Sequence, residues 1–173
     1  MPSELLRQRF IEASASLVQA QGPEQLAQII SQHAGPVLVL EDHPWLRAAA
    51  AYFPEDPGRE IHFTSEFGHP RPEAVETAVT IGLGAVPETG SVLLNGRSPQ
   101  AFRMSLCPRR HIVVIPADQA ALTMAEALAL TAREPSGLVS WVTGPSRTAD
   151  IEKILVLGAQ GTSELIVIIY QEN

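Results

Sequence analysis

Three stretches of the chain group side chains that could bind or transform a small molecule. The first is Thr80-Ile81-Gly82-Leu83-Gly84-Ala85-Val86-Pro87-Glu88-Thr89-Gly90. Its Gly-x-Gly suggests a dinucleotide loop, but that loop must open a helix straight after its glycines. Here Pro87 and a new apolar run from Ser91 follow instead, so the reading is rejected. What remains is a Gly-rich loop carrying Glu88, Thr89 and Gly90 toward a cleft, with a plain tight turn as the alternative. The second stretch runs from Val139 to Glu152. An apolar strand ends in Gly144-Pro145, and Ser146 and Thr148 offer hydroxyls where a helix is expected to begin. A helix start presents free N–H groups to an anion, and open α/β sheets take ligands beyond the carboxyl ends of their strands. Arg147 could clamp a carboxylate or phosphate. Asp150 and Glu152 would repel an anion and equally well complement the helix dipole, so a capped turn stays open beside a binding site.

The third stretch is the only basic cluster: Arg103, Cys107, Arg109, Arg110 and His111. Arg109, at the start of an apolar strand, is the expected anion contact. His111 reads as a hydrogen-bonded structural residue, and Cys107 as a small core residue rather than a nucleophile. His62, Glu66 and His69 lack a metal-ligand spacing and read as a solvated loop. No metal and no cofactor are expected.

Composition narrows the classes. The 173 residues suffice for one ordinary domain. With 12 Lys+Arg against 19 Asp+Glu the net charge is -7, which argues against nucleic-acid binding but leaves room for a small anion on a local arginine. One cysteine can form neither an internal disulfide nor an iron–sulfur site. The N-terminus lacks the pattern of a signal peptide, and no apolar run approaches the roughly 20 residues of a membrane span. The cytoplasm is the expected location.

The elements that must position these residues follow from periodicity. Leu6, Phe10, Ala13 and Leu17 recur at helical spacing, predicting a helix over 3–20 with Ser3 as cap. A second helix over 23–33 starts on Pro23. Together they form an N-terminal helical arm over 1–34, a packing element or interface. Strands are predicted at 37–40, 61–63, 78–84, 91–94, 111–115, 138–143, 154–157 and 165–170. Helices are predicted at 44–52, 99–106 and 119–132, the last capped by Asp118. About ten residues separate the strands ending at Thr143 and starting at Ile154, too few for a comfortable parallel crossover, so that pair is expected to be antiparallel. Strands alternating with helices give an α/β domain around a mostly parallel sheet flanked by helices, one domain spanning 1–173.

Two long motifs carry a resemblance. Gly144-Pro145-Ser146-Arg147-Thr148-Ala149-Asp150-Ile151-Glu152, then Leu155-Val156-Leu157-Gly158, Gly161 and Glu164-Leu165, resembles the C-terminal signature of the LUD-domain family of lactate-utilisation subunits (the LutC/YkgG type). Glu88-Thr89-Gly90-Ser91 and Pro108-Arg109-Arg110-His111-Ile112-Val113-Val114 with Ala117-Asp118-Gln119 are similar to its mid-chain motifs. Where that family often reads Gly-Val-His-Gly-Pro, this chain has Gly158-Ala159-Gln160-Gly161-Thr162, and Gln160 can hydrogen-bond but not titrate. Pro87 stands where a small residue is more usual. The resemblance implies a NagB/RpiA/CoA-transferase-like fold and a part in oxidising L-lactate to pyruvate beside iron–sulfur and cysteine-rich subunits, as a non-redox or ligand-binding component. The ligand set implied is Thr89, Gly90, Arg109, Ser146, Arg147, Thr148, Asp150 and Gln160. Two other readings stay open. One is a stand-alone transferase or isomerase acting on a sugar phosphate, acyl-CoA or folate, with catalytic Glu88 as acid, base or nucleophile. The other is a structural adaptor.

Overall fold

The computed structural model describes residues 4–66, 74–96, 98–149, 155–157 and 161–172. In chain order its first half holds α1 (Glu4–Glu12), β1 (Ser16–Gln21), α2 (Gly22–His33), β2 (Val37–Leu40), α3 (Pro44–Ala50), β3 (Glu60–Phe63) and β4 (Thr77–Val86). The second half holds β5 (Ser91–Asn95), α4 (Pro99–Met104), β6 (Arg110–Pro116), α5 (Met124–Arg133), β7 (Val139–Val142), β8 (Arg147–Ala149), β9 (Leu155–Leu157) and β10 (Glu164–Gln171).

The β-branched runs assemble as the sequence predicts, into a mostly parallel sheet flanked by helices. Six strands lie side by side in the order β1-β10-β6-β4-β2-β3, each parallel to its neighbours. The central strands are buried on both faces, which is why they read as continuous apolar runs. On one face Leu38, Leu40, Val79, Ile112, Val114, Ile166 and Ile168 pack under Leu26, Ala27 and Ile30 of α2 and Leu46 and Ala49 of α3. On the other, Val113, Ile115, Leu165, Val167 and Ile169 pack against Leu6 and Phe10 of α1. Each of those two α1 side chains is fully buried, worth about 1.5–3 kcal/mol apiece.

β4 is longer than predicted and serves two pairings. Its first half pairs with β6, while a bulge at Gly82/Gly84 turns the second half into antiparallel contact with β5, which in turn pairs with β7. Gly82 and Gly84 therefore lie within a strand rather than in a loop.

Four local expectations are corrected. The helix predicted over 3–20 ends at Glu12, and residues 16–21 form β1, paired along its length with β10. Ser14 makes the reversal with a φ of 60°, and the open edge of β10 offers ladder hydrogen bonds that outweigh a helical spacing. No helix begins at Ser146–Thr148, where the backbone enters β8, antiparallel to β9. The strand ending near Thr143 pairs with β5 and not with the one near Ile154. Asp118 caps no long helix. It sits in a 3-10 turn ending at Gln119, and α5 starts five residues after that, at Met124, on a capping box of Thr123 and Glu126.

Arg110 proves to be a structural tie. Its Nη1 donates to the His33 carbonyl at the end of α2, and its Nε donates to Glu164 at 2.6 Å. A free helix-end carbonyl is thereby satisfied and linked to the first residues of β6 and β10. Arg110→Met is expected to lower unfolding stability by about 1–3 kcal/mol. Arg110→Lys should recover only part, since an ammonium lacks the planar fork. An unchanged urea midpoint for Arg110→Met would refute the tie.

Candidate functional site

The turn after β4 brings together the residues with the strongest chemical signal. Glu88 and Thr89 are exposed, and Gly90 lies buried beneath them. Gly90 has a φ of +65°, and a Cβ there would stand 2.9 Å from the Arg9 carbonyl oxygen, so the turn closes directly on α1. Below it, the Thr89 hydroxyl donates to Ser91 Oγ at 2.8 Å, and Ser91 Oγ lies 2.6 Å from Thr143 Oγ1. Ser91 is buried and Thr143 is exposed, so three hydroxyls connect the β4–β5 turn to the end of β7.

These groups share a cleft of about 310 Å³ with α1, lined by Arg9, Glu12, Ala13, Glu88, Thr89 and Thr143. Arg9 Nη1 pairs with Glu12 at 2.8 Å, both side chains nearly half exposed. An exposed pair of this kind is worth about 0–1 kcal/mol, so a ligand carboxylate can compete for the guanidinium. The cleft thus offers one cation, two carboxylates and a hydroxyl chain. Such a set can hold a small hydroxy or oxo acid by its carboxylate and hydrogen-bond its oxygen. A larger hollow of about 520 Å³ lies at the start of α2, lined by Gln21, Gly22, Gln25, Gln28 and Tyr52 among others. Glu24 is its only carboxylate and it has no cation, so it lacks the chemistry despite the greater volume.

The remaining predicted residues are placed differently. Arg109 does not line the cleft; its Nη1 lies 3.6 Å from Glu76, at the amino end of β6. Its carbonyl accepts from the N–H groups of Ser163 and Glu164, while Ser146 N–H donates to the Thr162 carbonyl, so both meet the segment leading into β10. Gly144 approaches α1 so closely that a Cβ would lie 2.0 Å from the Ala13 carbonyl oxygen, which fixes Thr143 against the cleft. Arg147 and Thr148 lie in β8, and Asp150 and Gln160 fall outside the described residues. Cys107, expected in the core, is exposed. His69 lies outside the described residues, and Glu66 is bound to Arg47. Among the described residues no group of three His, Cys, Asp or Glu could hold a metal.

Sequence reading missed Arg9 and Thr143. Arg9 sits on a helix that periodicity marks only as packing, and Thr143 at a strand end has no partner in sequence. Only the β4–β5 turn folding onto α1 reveals them.

A family model described as the LUD domain matches residues 65–170. The chain belongs to the LUD domain family. The matched LUD region contains Glu88, Thr89, Gly90 and Thr143, whereas Arg9 and α1 precede it. Curated relatives extend further. Lactate utilization protein C of Deinococcus radiodurans is 32% identical over 130 residues, 73% of this chain and 57% of that protein. Its namesake in Geobacillus thermodenitrificans is 28% identical over 186 residues, 98% of this chain and 75% of that protein. This LUD chain thus matches little more than half the length of the first relative and three quarters of the second. Among solved structures, a DUF162 family protein from Deinococcus radiodurans superimposes with a TM-score of 0.71 at 22% identity, covering 96% of this chain and 94% of that one. That likeness establishes the α/β fold.

Proposed function

We propose that this chain is a component of a lactate-utilisation system, acting as a non-redox subunit that holds a small hydroxy or oxo acid in the cleft between α1 and the Glu88–Gly90 turn. The observation that carries the reading is the name Lactate utilization protein C, shared by relatives from different genera that align with up to 98% of the chain. One cysteine cannot hold an iron–sulfur cluster, so the electron carriers belong to iron–sulfur and cysteine-rich partner subunits. No described helix is long and apolar enough to cross a membrane, which fits assembly with such partners in the cytoplasm. In the cleft, Arg9 takes the ligand carboxylate, Thr89 and Thr143 line the space around its oxygen, and Glu88 accepts from a ligand hydroxyl.

Thermal-shift titration of the full chain with L-lactate and pyruvate tests the cleft. Both acids are expected to raise the melting temperature, Arg9→Met to cut apparent affinity for both about tenfold and Glu88→Gln that for L-lactate, each the loss of one charge-assisted hydrogen bond. Unchanged affinity in both variants would sink the site. Co-purification with iron–sulfur and cysteine-rich proteins tests the assignment to the system, and a chain that stays alone under every condition counts against it.

A further inference from the structure

A second group of side chains gathers at the carboxyl end of the parallel strands, where sequence reading predicted no site. From β2 the chain steps outward to β3 at the sheet edge; from β4 it steps the other way, to β6 and then β10. The winding reverses between β2 and β4, and open parallel sheets bind ligands outside the carboxyl ends of their strands at such a reversal. Glu41 sits at that point. Its N–H donates to the Val79 carbonyl as the last rung between the two strands. Beyond it β4 bends away toward β5, and the Ile81 N–H donates to Glu41 Oε2 at 2.7 Å in place of a ladder bond. The side chain therefore spans the crevice, and among the described residues its other oxygen accepts no hydrogen bond. Burial, partly offset by the Ile81 N–H, raises its pKa above the ordinary carboxylate value.

The surroundings select the ligand. Asp42, Glu66 and Glu172 add negative charge to this end of the sheet. Among the described residues the one nearby arginine, Arg47, is already engaged: it bonds Asp42 at 2.6 and 3.1 Å, Glu66 at 3.2 Å and Ser65 at 3.3 Å, and lies 4.1 Å over the Phe63 ring. This pairing holds Asp42 down to about 2, so it stays charged. His43 accepts from the Trp45 N–H through Nδ1, which leaves Nε2 as the protonated nitrogen and a donor. Its ring packs edge-on against Trp45, which packs in turn on Tyr170. An anion meets net negative charge and, among the described residues, no free guanidinium. A neutral molecule with hydroxyls meets an open carboxylate oxygen, a neutral donor and half-buried aromatic rings.

We propose that the crevice between the carboxyl end of β2 and β4 at Ile81 is a binding site for a neutral hydroxylated small molecule of the nucleoside or sugar class, with Glu41 accepting a hydrogen bond from a ligand hydroxyl. The site is separate from the cleft at Glu88 and stands or falls independently of it.

The test is amide NMR on the full chain, titrated with adenosine and, separately, with ribose 5-phosphate and L-lactate. Adenosine is expected to give saturable shifts centred on residues 41–45, 64–66 and 81. Glu41→Gln, which keeps an acceptor for the Ile81 N–H, should weaken it about fivefold or more. Glu88→Gln should leave it unchanged, and the two anions should leave these amides still. Shifts that are absent or centred elsewhere, undiminished in Glu41→Gln, or stronger with ribose 5-phosphate would overturn the proposal. Should Glu41→Gln fail to fold, the wild-type shift map decides alone: a still Ile81 amide refutes it.

Discussion

Gly144→Ala is expected to destabilise the protein by about 2–4 kcal/mol, read as a lowered urea midpoint. Two separate costs add. The residue has a φ of +72°, a conformation in which alanine loses about 1 kcal/mol relative to glycine. The new methyl would also stand 2.0 Å from the Ala13 carbonyl oxygen, a backbone atom that cannot swing aside as a flexible side chain could. Forcing that contact should cost a further 1–3 kcal/mol or so. Gly137 is the internal control: its φ is +66°, and a Cβ there would meet nothing within 4 Å. Gly137→Ala should therefore show the conformational cost alone, about 1 kcal/mol. Equal losses in the two variants would mean that the Gly144 turn yields freely, and that Thr143 is not fixed against α1.

Acid should destabilise the protein through His111 before most carboxylates titrate. The ring is fully buried on β6; its Nε2 lies 2.8 Å from Thr80 Oγ1, and among the described residues its Nδ1 has no hydrogen-bond partner. An unpartnered acceptor costs less than an orphaned buried N–H, so the tautomer that fits carries its proton on Nε2 and donates to Thr80. Burial alone pushes its pKa down to about 3. In the unfolded chain the imidazole binds its proton near pH 6.5, so between these two values the unfolded state holds the extra proton. Stability from this residue is complete above about pH 6.5 and declines as pH falls toward 3, by about 2 kcal/mol at pH 5 and on the order of 4–5 kcal/mol at the lower limit. Replacing the pair as Thr80→Val with His111→Leu removes both the titration and the partner that would be stranded. Denaturant unfolding of the double variant should show a flatter dependence on pH than wild type across this window. Parallel curves would show that the ring is protonated in the native state after all.

How far the sequence led depended on where the deciding contacts lie. β2, β6 and β10 announce themselves, because a strand buried on both faces must be apolar throughout. β1 gives no such signal: Ser16-Leu17-Val18-Gln19-Ala20-Gln21 is half polar, and Leu17 continues a helical spacing set by Leu6 and Phe10. Only the open edge of β10, encoded some 150 positions away, turns it into a strand. The Ser146–Thr148 segment was misread for a related reason, since hydroxyls after a Gly-Pro turn suit a helix start and a short antiparallel pair alike. The candidate site follows the same division. Glu88, Thr89 and Gly90 stand together in a turn whose residue types reveal it, whereas Arg9 and Thr143 join them through packing alone. Arg109 was grouped with them by residue type alone, and the fold sets it beside Glu76, away from the cleft.

The pairing of β1 with β10 bears on how the chain is made. Ser16 lies beside Ile166, so β1 leaves the ribosome some 150 residues before the strand that supplies its ladder. At roughly 5–20 residues per second that interval is about ten seconds or more, far longer than a helix or hairpin needs to form. Meanwhile Leu17 and Ala20 have no sheet to cover them, and the flank of β6 that β10 will occupy is a bare apolar edge. Nascent chains stalled before residue 164 should therefore recruit holding chaperones and resist native-like compaction. A topology that pairs strands some 150 positions apart holds back closure of this sheet until β10 has been made.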